Sequence, residues 1–160
     1  MKVINILHDS IVDGPGFRSV VFFAGCPHRC HGCHNPQSWN IDNGTDMSRD
    51  EIVAELIENE LTQVTLSGGD PFFQSQDVSE LAKKLKISGK NIWCYTGYLF
   101  EDLLANPHHR LLLEQIDVLV DGPFEMSKRD LSLLYKGSSN QRIIDVPRSL
   151  NEGRIHFFEN

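Results

Sequence analysis

Ser19-Val20-Val21-Phe22-Phe23-Ala24-Gly25 runs without a break into Cys26-Pro27-His28-Arg29-Cys30-His31-Gly32-Cys33-His34-Asn35. The first half is a continuous apolar run closed by glycine. That pattern belongs to a strand buried on both faces, as in a parallel sheet, rather than to a half-exposed strand with alternating polarity. The second half places three thiols at C-x3-C-x2-C spacing on a short loop, at the C-terminal end of that strand.

Outward from this stretch, strands and helices alternate. Thr62 to Ser67, Asn91 to Thr96, Ile116 to Val120 and Gln141 to Val146 read as further strands, with Lys2 to Leu7 and Arg154 to Phe158 as possible edges. Ser48 with Glu51 forms a capping box ahead of Ile52, Val53, Leu56 and Ile57 on one helical face. Asp77 with Glu80 opens a second helix carrying Val78, Leu81, Ala82 and Leu85, with Gly89 as its stop. Tyr98 to Ala105, His108 to Gln115 and Glu125 to Tyr135 are further helical segments. The alternation predicts an α/β fold with a mostly parallel sheet. A full eight-unit barrel needs roughly 250 residues. The 160 residues here allow about five or six units, so an incomplete (β/α) barrel or an open sheet is expected, as a single domain over residues 1–160. Its active site belongs at the C-terminal ends of the strands.

Composition excludes several classes. Fifteen lysines and arginines against 22 aspartates and glutamates give a formal net charge of −7, a poor match to a nucleic-acid phosphate backbone. No apolar run reaches the ~18–20 residues of a membrane span, and charge appears too early after Met1 for a signal peptide. A cytoplasmic protein is expected, without membrane or nucleic-acid partners. In that reducing setting, clustered cysteines point to metal or redox chemistry. Two metal readings suit the loop. One is an iron–sulfur cluster on Cys26, Cys30 and Cys33 with one iron left open. The other is a zinc site that adds His28, His31 or His34. Cys94, within an apolar strand, reads as a small buried hydrophobe, and His108 and His109 as a surface pair. Ser67-Gly68-Gly69-Asp70-Pro71 ends the second strand, where two glycines permit φ > 0 and close backbone approach to a ligand.

The cysteine loop resembles that of the radical S-adenosylmethionine superfamily. The resemblance implies a [4Fe-4S] cluster held by Cys26, Cys30 and Cys33, with S-adenosylmethionine chelated at the open iron. Gly32, Cys33 and His34 then lie against the cofactor. The chain departs from many members in having Gly32 where an aromatic residue precedes the last cysteine. Gly68-Gly69-Asp70 resembles the superfamily's GGE-type motif, which holds the cofactor's amino group, with aspartate in place of glutamate. Asp13-Gly14-Pro15-Gly16-Phe17-Arg18, together with His34-Asn35-Pro36 and Trp39, is similar to the activating enzymes of glycyl-radical enzymes.

Later stretches narrow the resemblance. Tyr95-Thr96-Gly97-Tyr98 and Asp121-Gly122-Pro123-Phe124 precede Gly137-Ser138-Ser139-Asn140-Gln141-Arg142. The last resembles the C-terminal signature of activators of anaerobic ribonucleoside-triphosphate reductase, whereas activators of pyruvate formate-lyase are usually longer chains. The resemblance implies reductive cleavage of S-adenosylmethionine at the cluster. The resulting 5′-deoxyadenosyl radical takes a hydrogen from one glycine of the reductase, and a flavodoxin-like or other one-electron donor supplies the electron. No catalytic side chain beyond the cluster ligands is implied. The alternatives are an activator of another glycyl-radical enzyme, such as pyruvate formate-lyase, or a non-catalytic zinc or electron-carrier module.

Overall fold

A computed structural model describes residues 1–160. Its strands are β1 (Lys2–Ser10), β2 (Arg18–Phe23), β3 (Thr45–Asp46), β4 (Gln63–Gly68), β5 (Ile92–Tyr95), β6 (Val118–Asp121) and β7 (Arg142–Asp145). Its helices are α1 (Arg49–Ile57), α2 (Ser75–Ile87), α3 (Phe100–Ala105), α4 (Pro107–Leu113) and α5 (Val146–Glu152). The seven strands form one open sheet in the order β3-β1-β2-β4-β5-β6-β7. The central four, β2, β4, β5 and β6, are parallel, and β1, β3 and β7 pair antiparallel at the flanks. No helix is long and apolar enough to cross a membrane.

Period-two alternation separates the two faces of the sheet. Val21, Phe23, Val64, Leu66, Ile92, Cys94 and Leu119 face the helices and build the main core with Ile52, Leu56, Leu81, Leu85, Leu103 and Leu112. Trp93, Val118 and Val120 point to the other side, where Tyr95, Tyr135, Ile143 and Phe158 cover them. Arg18 lies there too, only 1% exposed. Its Nε donates to Thr65 Oγ1 at 2.8 Å and its Nη2 to the Val64 carbonyl at 2.7 Å, with the guanidinium 5.6 Å from the Trp93 ring centroid. Burial lowers its pKa to about 10, so it still carries its charge at neutral pH. It anchors the Asp13–Arg18 turn to the sheet.

Local signals account for the helix ends. In α1 the capping box forms as read: Glu51 N–H donates to Ser48 Oγ at 3.1 Å and Ser48 N–H to Glu51 Oε2 at 2.7 Å. Past α2, Gly89 takes φ +83°, its N–H reaches the Lys86 carbonyl, and the Lys90 N–H reaches that of Leu85. This is the double hydrogen bond that closes a helix on a glycine. The start of α2 differs from the reading. It begins at Ser75, and Asp77 falls within its first turn, because Asp70 already caps a 3-10 turn over Pro71–Gln74 that leads into it.

Four larger expectations change. The sheet holds three helical crossovers, not five or six units, because β1 folds back on β2 and the β6–β7 connection is a loop that returns antiparallel. Glu125 to Tyr135 is not a helix beyond a 3-10 turn at Met126–Lys128. There Asp130 Oδ1 accepts from both the N–H and the hydroxyl of Ser132, competing with helical bonding, and Leu131 and Leu134 gain no burial. Arg154 to Phe158 contributes only an isolated bridge between Phe157 and Ile144. At the other flank β1 is internal, with the two-residue β3 outside it.

Candidate functional site

The C-terminal ends of the four parallel strands open onto a cleft of about 260 Å³. Cys26, Cys30 and Cys33 line it, as do His34, Gly68 and Gly69. The cysteine loop is tied at its root, where the Gly25 N–H donates to the Ser38 carbonyl at 2.7 Å and the Cys26 N–H to that of Trp39 at 3.2 Å. The residues after the last cysteine therefore close the loop, through a 3-10 turn at Pro36–Ser38. Arg29 covers the Trp39 ring at 5.8 Å. Within the loop the Cys33 N–H donates to the Cys30 carbonyl, and the Asn35 N–H to Cys33 Sγ at 3.4 Å.

All four cysteines are free thiols. The three loop thiols are half-buried, whereas Cys94 is fully buried in the core on the helix side of the sheet. Burial pushes the Cys26 thiol up to about 11, with a further push from the Asp70 carboxylate, against backbone hydrogen bonds from His28 and Arg29 that lower it. Burial likewise holds the Cys94 thiol well above its ordinary range. The donor set is soft and sulfur-rich, which suits an iron–sulfur cluster. No three His, Cys, Asp or Glu side chains converge closely enough to hold a single metal ion. Of the histidines weighed for zinc, His28 has its Nε2 engaged by Asp70 at 2.7 Å. His34 leans on Phe124 with ring centroids 5.3 Å apart, and His31 is exposed.

The glycine pair lines the cleft and also makes a close contact between strand ends. Gly68 has φ +100°, and a Cβ there would sit 2.3 Å from the Phe23 nitrogen. A Cβ on Gly69 would sit 2.4 Å from the Gly25 carbonyl oxygen. Both glycines let the end of β4 lie backbone to backbone against the root of the cysteine loop, where the Gly69 N–H donates to the Phe23 carbonyl and the Asp70 N–H to that of Gly25. Gly32 and Asp70 are the chain neighbours of the lining residues Cys33 and Gly69. A Cβ at Gly32 would meet the Met126 sulfur at 2.7 Å. Asp70 is 0% exposed.

Sequence reading did not single out the opposite wall as a site. Gly122, Phe124, Gly137 and Gln141 form it. Gln141 Oε1 accepts from the N–H groups of Gly137 and Ser138, and its Nε2 donates to the Gly122 carbonyl. Asn140 Nδ2 donates to the Pro123 carbonyl. Behind this wall, Arg142 makes paired contacts to the buried Asp121 and to Glu101, which raises its pKa further above the ordinary arginine range. The clue in the sequence was the polar run Gly137 to Gln141 itself, but the side-chain amides that staple it to Gly122 and Pro123 are a tertiary feature.

The 4Fe-4S single cluster domain model matches residues 12–144, from the turn before the cysteine loop to the last strand. The chain is 37% identical over 140 residues to the anaerobic ribonucleoside-triphosphate reductase-activating protein of Escherichia coli (strain K12), covering 82% of this chain and 90% of that one. The protein of the same name from Enterobacteria phage T4 is 37% identical over 139 residues, covering 82% and 86%. That from Pasteurella multocida (strain Pm70) is 36% identical over 152 residues, covering 89% and 96%. The matched residues 12–144 include both walls of the cleft as well as the cysteine loop, and with relatives this similar over most of their length the chain belongs to the family of anaerobic ribonucleoside-triphosphate reductase-activating proteins.

Proposed function

We propose that this chain activates anaerobic ribonucleoside-triphosphate reductase by generating a glycyl radical on it, as a radical S-adenosylmethionine oxidoreductase. Cys26, Cys30 and Cys33 hold a [4Fe-4S] cluster, and the backbone of Gly32 to His34 and of Gly68 and Gly69 borders the S-adenosylmethionine. When bound, the cluster and cofactor supply a one-electron cleavage of the sulfonium C–S bond, and so an acceptor for a hydrogen atom from the partner's glycine. The chain's own part is to bind, orient and shield. The β2 and β4 ends fix the cysteine loop against the glycine turn, and Phe124 and Gln141 wall the opposite side and limit the entry of water. The open sheet is read as an incomplete barrel, a single domain over 1–160, whose open side admits a loop of a large protein. A flavodoxin-like or other one-electron donor in the cytoplasm supplies the electron.

The observation that carries this reading is that three free thiols and the glycine turn share one cleft at the ends of the parallel strands, in a chain of this family. The test is electron paramagnetic resonance after mixing the anaerobically purified protein with S-adenosylmethionine, a chemical reductant and the reductase or, separately, pyruvate formate-lyase. A glycyl doublet on the reductase is expected. A doublet on the lyase alone would overturn the substrate, and colourless protein with stoichiometric zinc would overturn the chemistry.

A further inference from the structure

The Asp70 carboxylate has no free side toward the cleft. Its Oδ2 accepts from His28 Nε2 at 2.7 Å, from Thr96 Oγ1 at 2.8 Å and from the Gly97 N–H at 3.0 Å. Its Oδ1 accepts from the Phe72 N–H at 3.0 Å. The backbone N–H and carbonyl of Asp70 are also engaged, with Gly25 and Phe73. The residue therefore joins three strand ends, those of β2, β4 and β5, at one buried point.

His28, the middle residue of the first cysteine interval, is the member of this group that reaches the cluster loop. Its ring is held on three sides. The carboxylate takes Nε2. Tyr98 meets it edge to face at 4.5 Å between centroids. Gly97 lies so close that a Cβ there would be 2.5 Å from His28 Cδ2. A side chain gripped in this way fixes the backbone between Cys26 and Cys30, because only one residue separates it from each. The stretch Tyr95 to Tyr98 thereby gains a role: it forms the seat for this imidazole.

We infer that Asp70 and His28 are positioning residues, with Thr96 and Gly97 as their seat, and that they set the placement of the Cys26–Cys30 arm of the cysteine loop instead of contacting the cofactor. This rests on the reading of Cys26, Cys30 and Cys33 as cluster ligands, and it gives the Asp70 side chain a role apart from the cofactor contact that the GGE-type resemblance implies. Fixing ligands through hydrogen-bonded partners behind them is a general device of metal sites, and its loss commonly costs ~10–100-fold in metal affinity or activity.

The test uses the full chain with His28→Leu, His28→Gln, Gly97→Ala and Asp70→Asn. Three quantities are compared with wild type after anaerobic reconstitution: iron content, the electron paramagnetic resonance spectrum of the reduced cluster, and the rate of Cys26 alkylation by iodoacetamide in metal-free protein. His28→Leu and Gly97→Ala should each lose at least half the iron or shift the reduced-cluster spectrum. Both should raise the Cys26 alkylation rate several-fold while circular dichroism stays unchanged. His28→Gln, whose amide N–H can replace the Nε2 donor, should restore much of the wild-type behaviour. Wild-type spectra and alkylation rates in His28→Leu and Gly97→Ala would overturn the inference. So would an Asp70→Asn protein that loses S-adenosylmethionine binding by calorimetry while His28→Leu keeps a wild-type spectrum, since Asp70 would then act directly on the cofactor. A wild-type protein that takes up no iron would sink the cluster reading, and the alkylation rates would still decide the positioning role.

Discussion

Replacing Gly68 with alanine separates two costs that the structure assigns to one residue. Gly68 has φ +100°, and an added Cβ would lie 2.3 Å from the Phe23 nitrogen and 2.6 Å from the Phe23 carbonyl oxygen, both backbone atoms of the neighbouring strand. The conformational cost of a side chain at such a φ is roughly 1–2 kcal/mol. The overlap adds about 1–3 kcal/mol of overpacking, since a central strand cannot step aside as a flexible side chain can. Together these predict a loss of about 2–5 kcal/mol, a large share of the ~5–15 kcal/mol typical of a domain. Gly89 is the control. It has φ +83° but no atom within 4 Å of its Cβ position, so Gly89→Ala pays only the conformational part. Urea unfolding followed by circular dichroism should show a lower midpoint at unchanged slope for both, with the larger loss in Gly68→Ala. In thermal unfolding the losses correspond to on the order of 10 °C for Gly68→Ala and a few °C for Gly89→Ala. Equal losses in the two variants would refute the claim that close contact between β4 and β2, rather than backbone conformation alone, requires this glycine.

Cys26→Ala, Cys30→Ala and Cys33→Ala should each abolish iron binding and S-adenosylmethionine cleavage, while Cys94→Ala keeps both and costs about 1 kcal/mol of core packing; loss of iron in a folded Cys94→Ala protein would refute the assignment. In metal-free protein, Cys26 at about 11 instead of 9.0 should react with iodoacetamide at pH 8 about a hundredfold more slowly than an ordinary free thiol, with the rate rising about tenfold per pH unit until that value is reached. Because this thiol titrates higher in the folded chain than in the unfolded one, its contribution to stability is complete below pH 9 and fades as the pH rises toward 11, which urea midpoints at pH 8 and pH 10.5 would reveal. Arg142→Met removes the partner of the fully buried Asp121 and should cost about 3 kcal/mol in urea unfolding; Asp121→Asn combined with it should recover part of that loss.

What was legible in the sequence was local. The apolar run Ser19 to Gly25, the capping box at Ser48 and the stop at Gly89 depend on near neighbours and appear as read. The three cysteines share a loop, and their spacing alone is enough to group them. Two kinds of feature were hidden. The return direction of β7 depends on how a 20-residue loop folds, and the competing hydrogen bonds of Asp130 gave no warning in a helix-like pattern. The roles of Asp70 and Gly69 depend on what lies across the sheet. The Asp70 side chain joins strand ends through His28, Thr96 and Gly97, which come from elements that spacing cannot relate.

The staple between Gln141 and Gly122 has a consequence for engineering. The loop from Gly137 to Gln141 has almost no regular structure of its own, and it keeps its shape through Gly122, Pro123 and the hydroxyl of Ser138, which accepts from the Glu125 N–H. A transplant of the six residues Gly137 to Arg142 into another activator would therefore arrive without the scaffold that shapes them. The exchangeable cassette is the pair of segments 121–125 and 136–142, moved together with Glu101. A chimera built on that unit tests partner choice, whereas one built on the signature alone mainly tests loop collapse.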